Sequence, residues 1–200
     1  MQLNSPSSEY AATMSPVAKA INILQAETNV QMGCLLPNIN LLITKLDRIK
    51  FTIPLVDALQ LGLKKHFRHM FQDPELIAAA NLLPKFKTTW TKDDAAITMG
   101  MDYIKDHLEE QLQQLGDGTS LSDEEDFSAM KTSQAQEISK QLDVYLACSA
   151  DHMELLKSFP AVCKLSLRLN TPFHRRERLG FRNVENQILL KMNRKFFNFK

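Results

Sequence analysis

The chain has 200 residues, of which 44% are hydrophobic and 24% charged, enough for one large globular domain or two small ones with a real core. No apolar run approaches the roughly 18 residues that a bilayer crossing needs. The opening MQLNSPSSEYAATMSP lacks a basic stretch followed by an apolar one, so neither a membrane span nor a secretory signal is expected. The net charge of +1 hides a split: nine acids against two lysines from Asp117 to Glu154, net −7, and eleven Lys or Arg against two acids from Lys157 to Lys200, net +9.

In chain order, residues 1–14 are polar and expected to be disordered. Ser15-Pro16 has the form of a helix N-cap followed by proline at the first helical position. Val17, Ala20, Ile21 and Leu24 follow at helical spacing, and Leu35, Leu36, Ile39, Leu42, Ile43, Leu46 and Ile49 keep the period beyond Gly33 and Pro37. This predicts one long helix or two meeting near Pro37. Pro54 opens the next helix, with Leu55, Leu59, Leu63, Phe67 and Met70 on one face and Lys64, Lys65, Arg68 and His69 on the other. Asp73-Pro74 starts a helix through ELIAAANLL that ends at Pro84, and KFKTTW reads as a connector. Lys92-Asp93-Asp94 begins a helix that Gly116 terminates.

Residues 116–136 read as an acidic linker, polar and rich in small side chains. Helices are then predicted over Glu137–Leu146, around Asp151–Lys157, from Pro160 and from Asn183, the last with an apolar stripe of Val184, Ile188, Leu189, Met192, Phe196 and Phe199. Strand-like alternation is nearly absent. The expected fold is therefore mainly α: a helical bundle region over 15–115, the linker, and a small C-terminal helical module over 137–200.

Chemistry-bearing motifs are sparse. The six glycines form no GxGxxG or GxxxxGK[ST] loop, and GxSxG is missing. Cys148, His152, Cys163 and His174 are zinc-competent residue types, but their spacing matches no specific zinc signature. The tract SDEED lacks the alternating ligands of a calcium loop. Ser120 and Ser122 each precede an acid three residues on, the pattern of an acid-directed kinase site. Three cysteines without a CxxC suit a reducing compartment. The basic C-terminal third, with Arg175, Arg176, Arg178, Arg182, Arg194 and Lys195, offers contacts to nucleic-acid phosphates without a recognition motif. The charge split is compatible with an intramolecular clasp, with a basic surface for an acidic partner, or with two solvated faces that never meet.

Two segments resemble the carboxy-terminal part of hAT-superfamily DNA transposases and their domesticated relatives. LQAETNVQMGCLLPNINLLITKLDRI, continued by PLVDALQLGLKKHFRHMFQDPELIAAANLLPKFKTTW, looks like the helical region that interrupts the ribonuclease-H-like catalytic domain, with LLPKFK similar to the family's Leu-Asp-Pro-Arg-Phe-Lys motif. LLKSFPAVCKLSLRLNTP and VENQILLKMNRKF resemble the C-terminal dimerisation region. The resemblance implies a nuclear protein, or a cytosolic one, that is a remnant of a ribonuclease-H-like fold. In the family, three acids bind divalent metal for DNA strand transfer. The first two would precede residue 1, as would a BED zinc finger. The third belongs to an Ala-Ser-Ala-x-x-Glu-Arg-Leu-Phe-Ser segment after Asn-Thr-Pro. Here Asn170-Thr171-Pro172 leads directly to FHRRERLG, and Arg175, Arg176, Arg178, Leu179 and Gly180 match a later basic run before Glu185-Asn186-Gln187. Glu177 then fills a variable position, paired by flanking arginines rather than catalytic.

The expectation is a non-catalytic protein without a cofactor, metal or small-molecule substrate. It would associate with itself or a related hAT-derived protein through Phe159, Val162, Leu165, Leu169, Val184, Ile188, Leu189, Met192 and Phe196. The segment lost after Pro172 leaves this interface incomplete, and the two terminal helices could instead fold back on the bundle as core; the alternative function is a remnant that binds DNA non-specifically through its basic C-terminus.

Overall fold

The computed structural model describes residues 6–24, 31–49, 55–116 and 124–170, with residues 6, 55, 112–116 and 124–135 by backbone only. Helices α1 (Pro6–Leu24), α2 (Leu35–Asp47), α3 (Leu55–Phe67), α4 (Pro74–Asn81), α5 (Asp94–Gly116), α6 (Glu124–Ala147) and α7 (Pro160–Leu169) are joined by turns and short 3-10 segments. The protein is mainly α, and no extended strand occurs among the described residues.

The bundle is organised around α4, which packs against α2, α5, α7 and the 3-10 turn Met32–Cys34. Leu76 through Asn81 are all buried. A helix apolar around its whole circumference belongs in a core, and the run Ala78-Ala79-Ala80 keeps it thin enough to be approached from several sides. Asp73 caps it, its Oδ1 accepting from the amides of Glu75 at 2.9 Å and Leu76 at 3.4 Å, with Pro74 at the first position. Asp93 caps α5 in the same way, accepting from Ala95 and Ala96. The connector after α4 is a series of turns. Trp90 closes it, donating from Nε1 to Asn81 Oδ1 at 2.9 Å while its carbonyl accepts from Asn40 Nδ2. In α3, Gln60 is buried and donates to Ile43 O and Asp47 Oδ1 of α2.

Three boundaries differ from the sequence reading. First, α1 begins at Pro6, so residues 6–14 of the segment expected to be disordered are helical, and Pro16 lies inside the helix. Ser5-Pro6 repeats the cap signal of Ser15-Pro16, with Glu9 placed to favour the positive end of the helix dipole. Buried Thr13 returns its hydroxyl to Glu9 O, and Val17 enters the core. Second, of the two readings the one with two helices meeting near Pro37 holds, but the second helix opens at Leu35, just ahead of the proline. Pro37 sits in the first turn of α2, where a missing amide costs nothing. Third, the acidic linker expected over 116–136 gives way to α6 from Glu124. No glycine or proline interrupts the chain from Asp123 to Phe159, and carboxylates at a helix start are favourable. Ile138, Leu142 and Tyr145 then tie α6 to the core. The segment around Asp151–Lys157 is a 3-10 helix, Met153–Ser158, and the helix predicted from Asn183 lies outside the described residues.

Two glycines mark where α4 is approached most closely. A Cβ at Gly33 would run into the carbonyl oxygen of Ala79 and lie 2.6 Å from Asn170 Oδ1. One at Gly100 would lie 2.5 Å from Ile77 Cγ2 and 2.8 Å from Asn81 Nδ2. The obstacle at Gly33 is first of all backbone and cannot rotate away, whereas that at Gly100 is first of all the Ile77 γ2 methyl and the Asn81 carboxamide, with the Ala78 amide nitrogen behind them at 3.3 Å. Gly33→Ala is therefore expected to cost about 2–3 kcal/mol in denaturant unfolding, and Gly100→Ala less than that.

Candidate association site

The sequence places half of its association stripe on α7, and the structure shows where that half goes. Pro160 opens the helix at its first position, and Phe159 precedes it. Val162, Leu165 and Leu169 recur at intervals of three and four and so share one face. All three are buried inside the subunit. Phe159 is half-buried, edge-on to the Tyr145 ring with centroids 5.7 Å apart. These four residues are thus core, and the first three have no area left for a second copy. This corrects the expectation that α7 presents them outward. The physical reason lies in α4, whose exposed-looking end needs a cover.

That cover is polar as well as apolar. Ser166 and Asn170 sit four apart on the buried side of α7. Asn170 Nδ2 donates to Ala79 O at 3.1 Å and to Ser166 Oγ at 3.3 Å, and Asn170 Oδ1 accepts from the Gly33 amide at 2.8 Å. One carboxamide therefore joins α7, α4 and the turn before α2. Leu82, at the C-terminal end of α4, has a carbonyl that accepts from Ser166 Oγ at 3.1 Å and from Tyr145 Oη at 2.9 Å. The last carbonyls of a helix lack partners within it, and here side chains from α6 and α7 supply them.

The LLPKFK stretch carries the reciprocal contact. Lys87 is buried and its Nζ donates to Cys148 O, just beyond the end of α6, while lying 5.1 Å from the centroid of the Tyr145 ring. A cation at a helix C-terminus and over an aromatic face is favoured twice. Its backbone has φ 46°, the one positive φ among the described non-glycine residues. That conformation is costly for an L side chain and is held by the contacts at both ends of the residue.

Sequence reasoning assigned no role to Tyr145, Ser166 or Asn170. The readable signal was the pair Ser166 and Asn170 on the same face as Val162, Leu165 and Leu169: polar groups on an otherwise apolar stripe need partners of fixed geometry.

The remaining predicted residues are not brought together. Val184, Ile188, Leu189, Met192 and Phe196 lie outside the described residues, as do Arg175, Arg176, Arg178, Arg182, Arg194, Lys195 and Glu177. Ser120 and Ser122 lie outside them too. Cys34, Cys148 and Cys163 are free thiols, and burial pushes the Cys34 thiol up from its ordinary range. Among the described residues no three His, Cys, Asp or Glu side chains converge as a metal site, and His174 is not among them. No described helix is long and apolar enough to cross a membrane. No family model, curated protein or solved structure matches the chain.

Burial raises the Tyr145 phenol above its ordinary range near pH 10. Below that pH it is neutral in both folded and unfolded chains, and its bond to Leu82 contributes fully. As pH rises further the unfolded chain ionises first, so the folded state loses its advantage. Tyr145→Phe is expected to lower stability at neutral pH by about 1 kcal/mol. The gap between wild type and variant should narrow as the pH of the denaturation series rises past about 10.

Proposed function

We propose that this chain is a non-catalytic, transposase-derived association module that pairs with itself or with a related hAT-derived protein. The surface used is the apolar stripe of Val184, Ile188, Leu189, Met192 and Phe196, at spacings of four, one, three and four. The observation that carries this choice is the burial of Val162, Leu165 and Leu169 within the subunit. Of the apolar residues the sequence assigns to association, those on α7 already have a partner in α4, and the distal stripe is what remains for another chain.

The resemblance to hAT transposases supports the remnant reading in one physical respect. The two resembling segments meet through the carbonyls of Ala79 and Leu82 on one side and the side chains of Asn170 and Ser166 on the other. The apolar side chains of the distal stripe, burying area at roughly 25 cal/mol per Å², offset the entropy of association only when several act together. A polar change at two of them is therefore decisive.

Sedimentation of the full chain separates the roles of the two stripes. The wild type is expected to associate, and Ile188→Asp with Met192→Asp to sediment as a monomer with an unchanged melting temperature. Leu165→Ala is expected to do the reverse: it keeps its association state at low temperature but loses about 2–5 kcal/mol of stability. A wild type monomeric at high concentration would rule out self-association. Binding to duplex DNA that falls steeply with salt would instead favour the basic residues Arg175, Arg176, Arg178, Arg182, Arg194 and Lys195 as phosphate contacts.

A further inference from the structure

The outer face of α3 has features that packing among the described residues does not explain. Val56, Gln60, Leu63 and Phe67 point inward. On the opposite side, Ala58, Leu61, Gly62, Lys65, Arg68 and His69 are exposed and fall within one arc of the helix. Leu61 is 70% exposed, the highest value among the large exposed apolar residues described. A Cβ added at Gly62 would meet nothing within 4 Å. Gly33 and Gly100 are required by close neighbours, but Gly62 is not. A glycine inside a helix costs about 1 kcal/mol relative to alanine. Its usual compensation is close approach of another backbone, and no described part of this subunit approaches it.

Lys64, Lys65 and Arg68 flank this spot, and no acidic side chain among the described residues pairs with them in a salt bridge. Cations near a helix C-terminus are favoured by the dipole, which accounts for them alone. It does not account for an exposed leucine next to an unneeded glycine. Asp57 is the one acid on the helix and stands at its N-terminal end.

We infer that the outer face of α3 docks an acidic amphipathic helix of a partner protein. Leu61 is the apolar anchor, Ala58 and Gly62 let the two backbones approach, and Lys64, Lys65 and Arg68 face carboxylates along the partner's flank. Nucleic acid fits less well. A phosphate backbone uses the cations but gains nothing from Leu61 or Gly62, and it meets the negative end of the helix dipole. A second helix packed along this face would use the leucine, the glycine and the cations together.

The test uses the full chain and a synthetic helical peptide with leucine at every third or fourth position, flanked by glutamates. A second peptide carries lysine in place of each glutamate. Fluorescence polarisation is expected to show binding of the glutamate peptide only, weakened by added salt. Leu61→Ser and Gly62→Gln should each weaken it at least about tenfold. Gly62→Gln should also melt about 2 °C higher than wild type, because glutamine is the better helix former and meets no obstacle there. Loss of binding with a gain in stability excludes unfolding as the cause. The inference is overturned if the glutamate peptide does not bind, or if both variants bind it as wild type does. It is also overturned if duplex DNA binds this face while the peptide does not, or if Leu61→Ser abolishes self-association, which would make the occupant a second copy. It stands apart from the distal stripe: Ile188→Asp with Met192→Asp should leave peptide binding unchanged.

Discussion

An eight-residue helix buried on every side governs this structure. α4 is too short to persist alone, since helix nucleation is costly and propagation over two turns does not recover it. It exists because its surroundings complete it. Asp73 satisfies amides at its start. Ala79 O and Leu82 O, near its end, receive donors from Asn170, Ser166 and Tyr145, which lie between 63 and 91 residues further along the chain. A buried carbonyl without a donor costs about 1–3 kcal/mol, so the C-terminal helices are a condition for the central helix rather than an addition to it. The acidic and basic parts of the sequence therefore do not mark independent modules. Both α6, in the acidic part, and α7, at the start of the basic part, close onto the same helix end.

Local signals were legible where local chemistry decides. Asp73-Pro74, Asp93 before α5, Gly116 and Pro160 act within one turn, and each marks a helix boundary at or beside the residue read from the sequence. The α1 start was misplaced because Ser5-Pro6 and Ser15-Pro16 carry the same signal, and what selects the earlier one is the burial of Thr13 against the rest of the bundle. Residues 116–136 read as a linker because low hydrophobicity masks their adequate helix propensity. The first half of α6 has few apolar residues, but its second half is anchored by Leu142 and Tyr145, so the whole helix persists.

Periodicity identified the apolar face of α7 but not its destination. Val162, Leu165 and Leu169 at helical spacing require burial, and that requirement is met equally by a second copy or by the same subunit. What separates the two is tertiary: the open carbonyls of α4 and the cleared space at Gly33. Asn170 matches both at once, since a carboxamide both donates and accepts. Lys87 has the same character on the other side of the junction. Its unusual φ is tolerable only while its Nζ reaches the end of α6 and lies over the Tyr145 ring. The candidate site was half legible for this reason: the sequence shows which residues are sticky, and only the fold shows which are already occupied.

The glycines extend the same reasoning to the surface. Two of the described ones lie where a methyl group would strike α4, so their cost is offset by packing within the subunit. Gly62 lies on α3 with open space around it and bears the same backbone cost without that offset. A neighbouring leucine left in solvent adds a second unfavourable feature to the same turn. Each alone is common on protein surfaces. Together with cations that no acid among the described residues pairs, they make this face the one where the proposed partner helix would supply the compensation. Residues buried by α4 account for what holds the bundle together, and residues left exposed on α3 account for what it can hold.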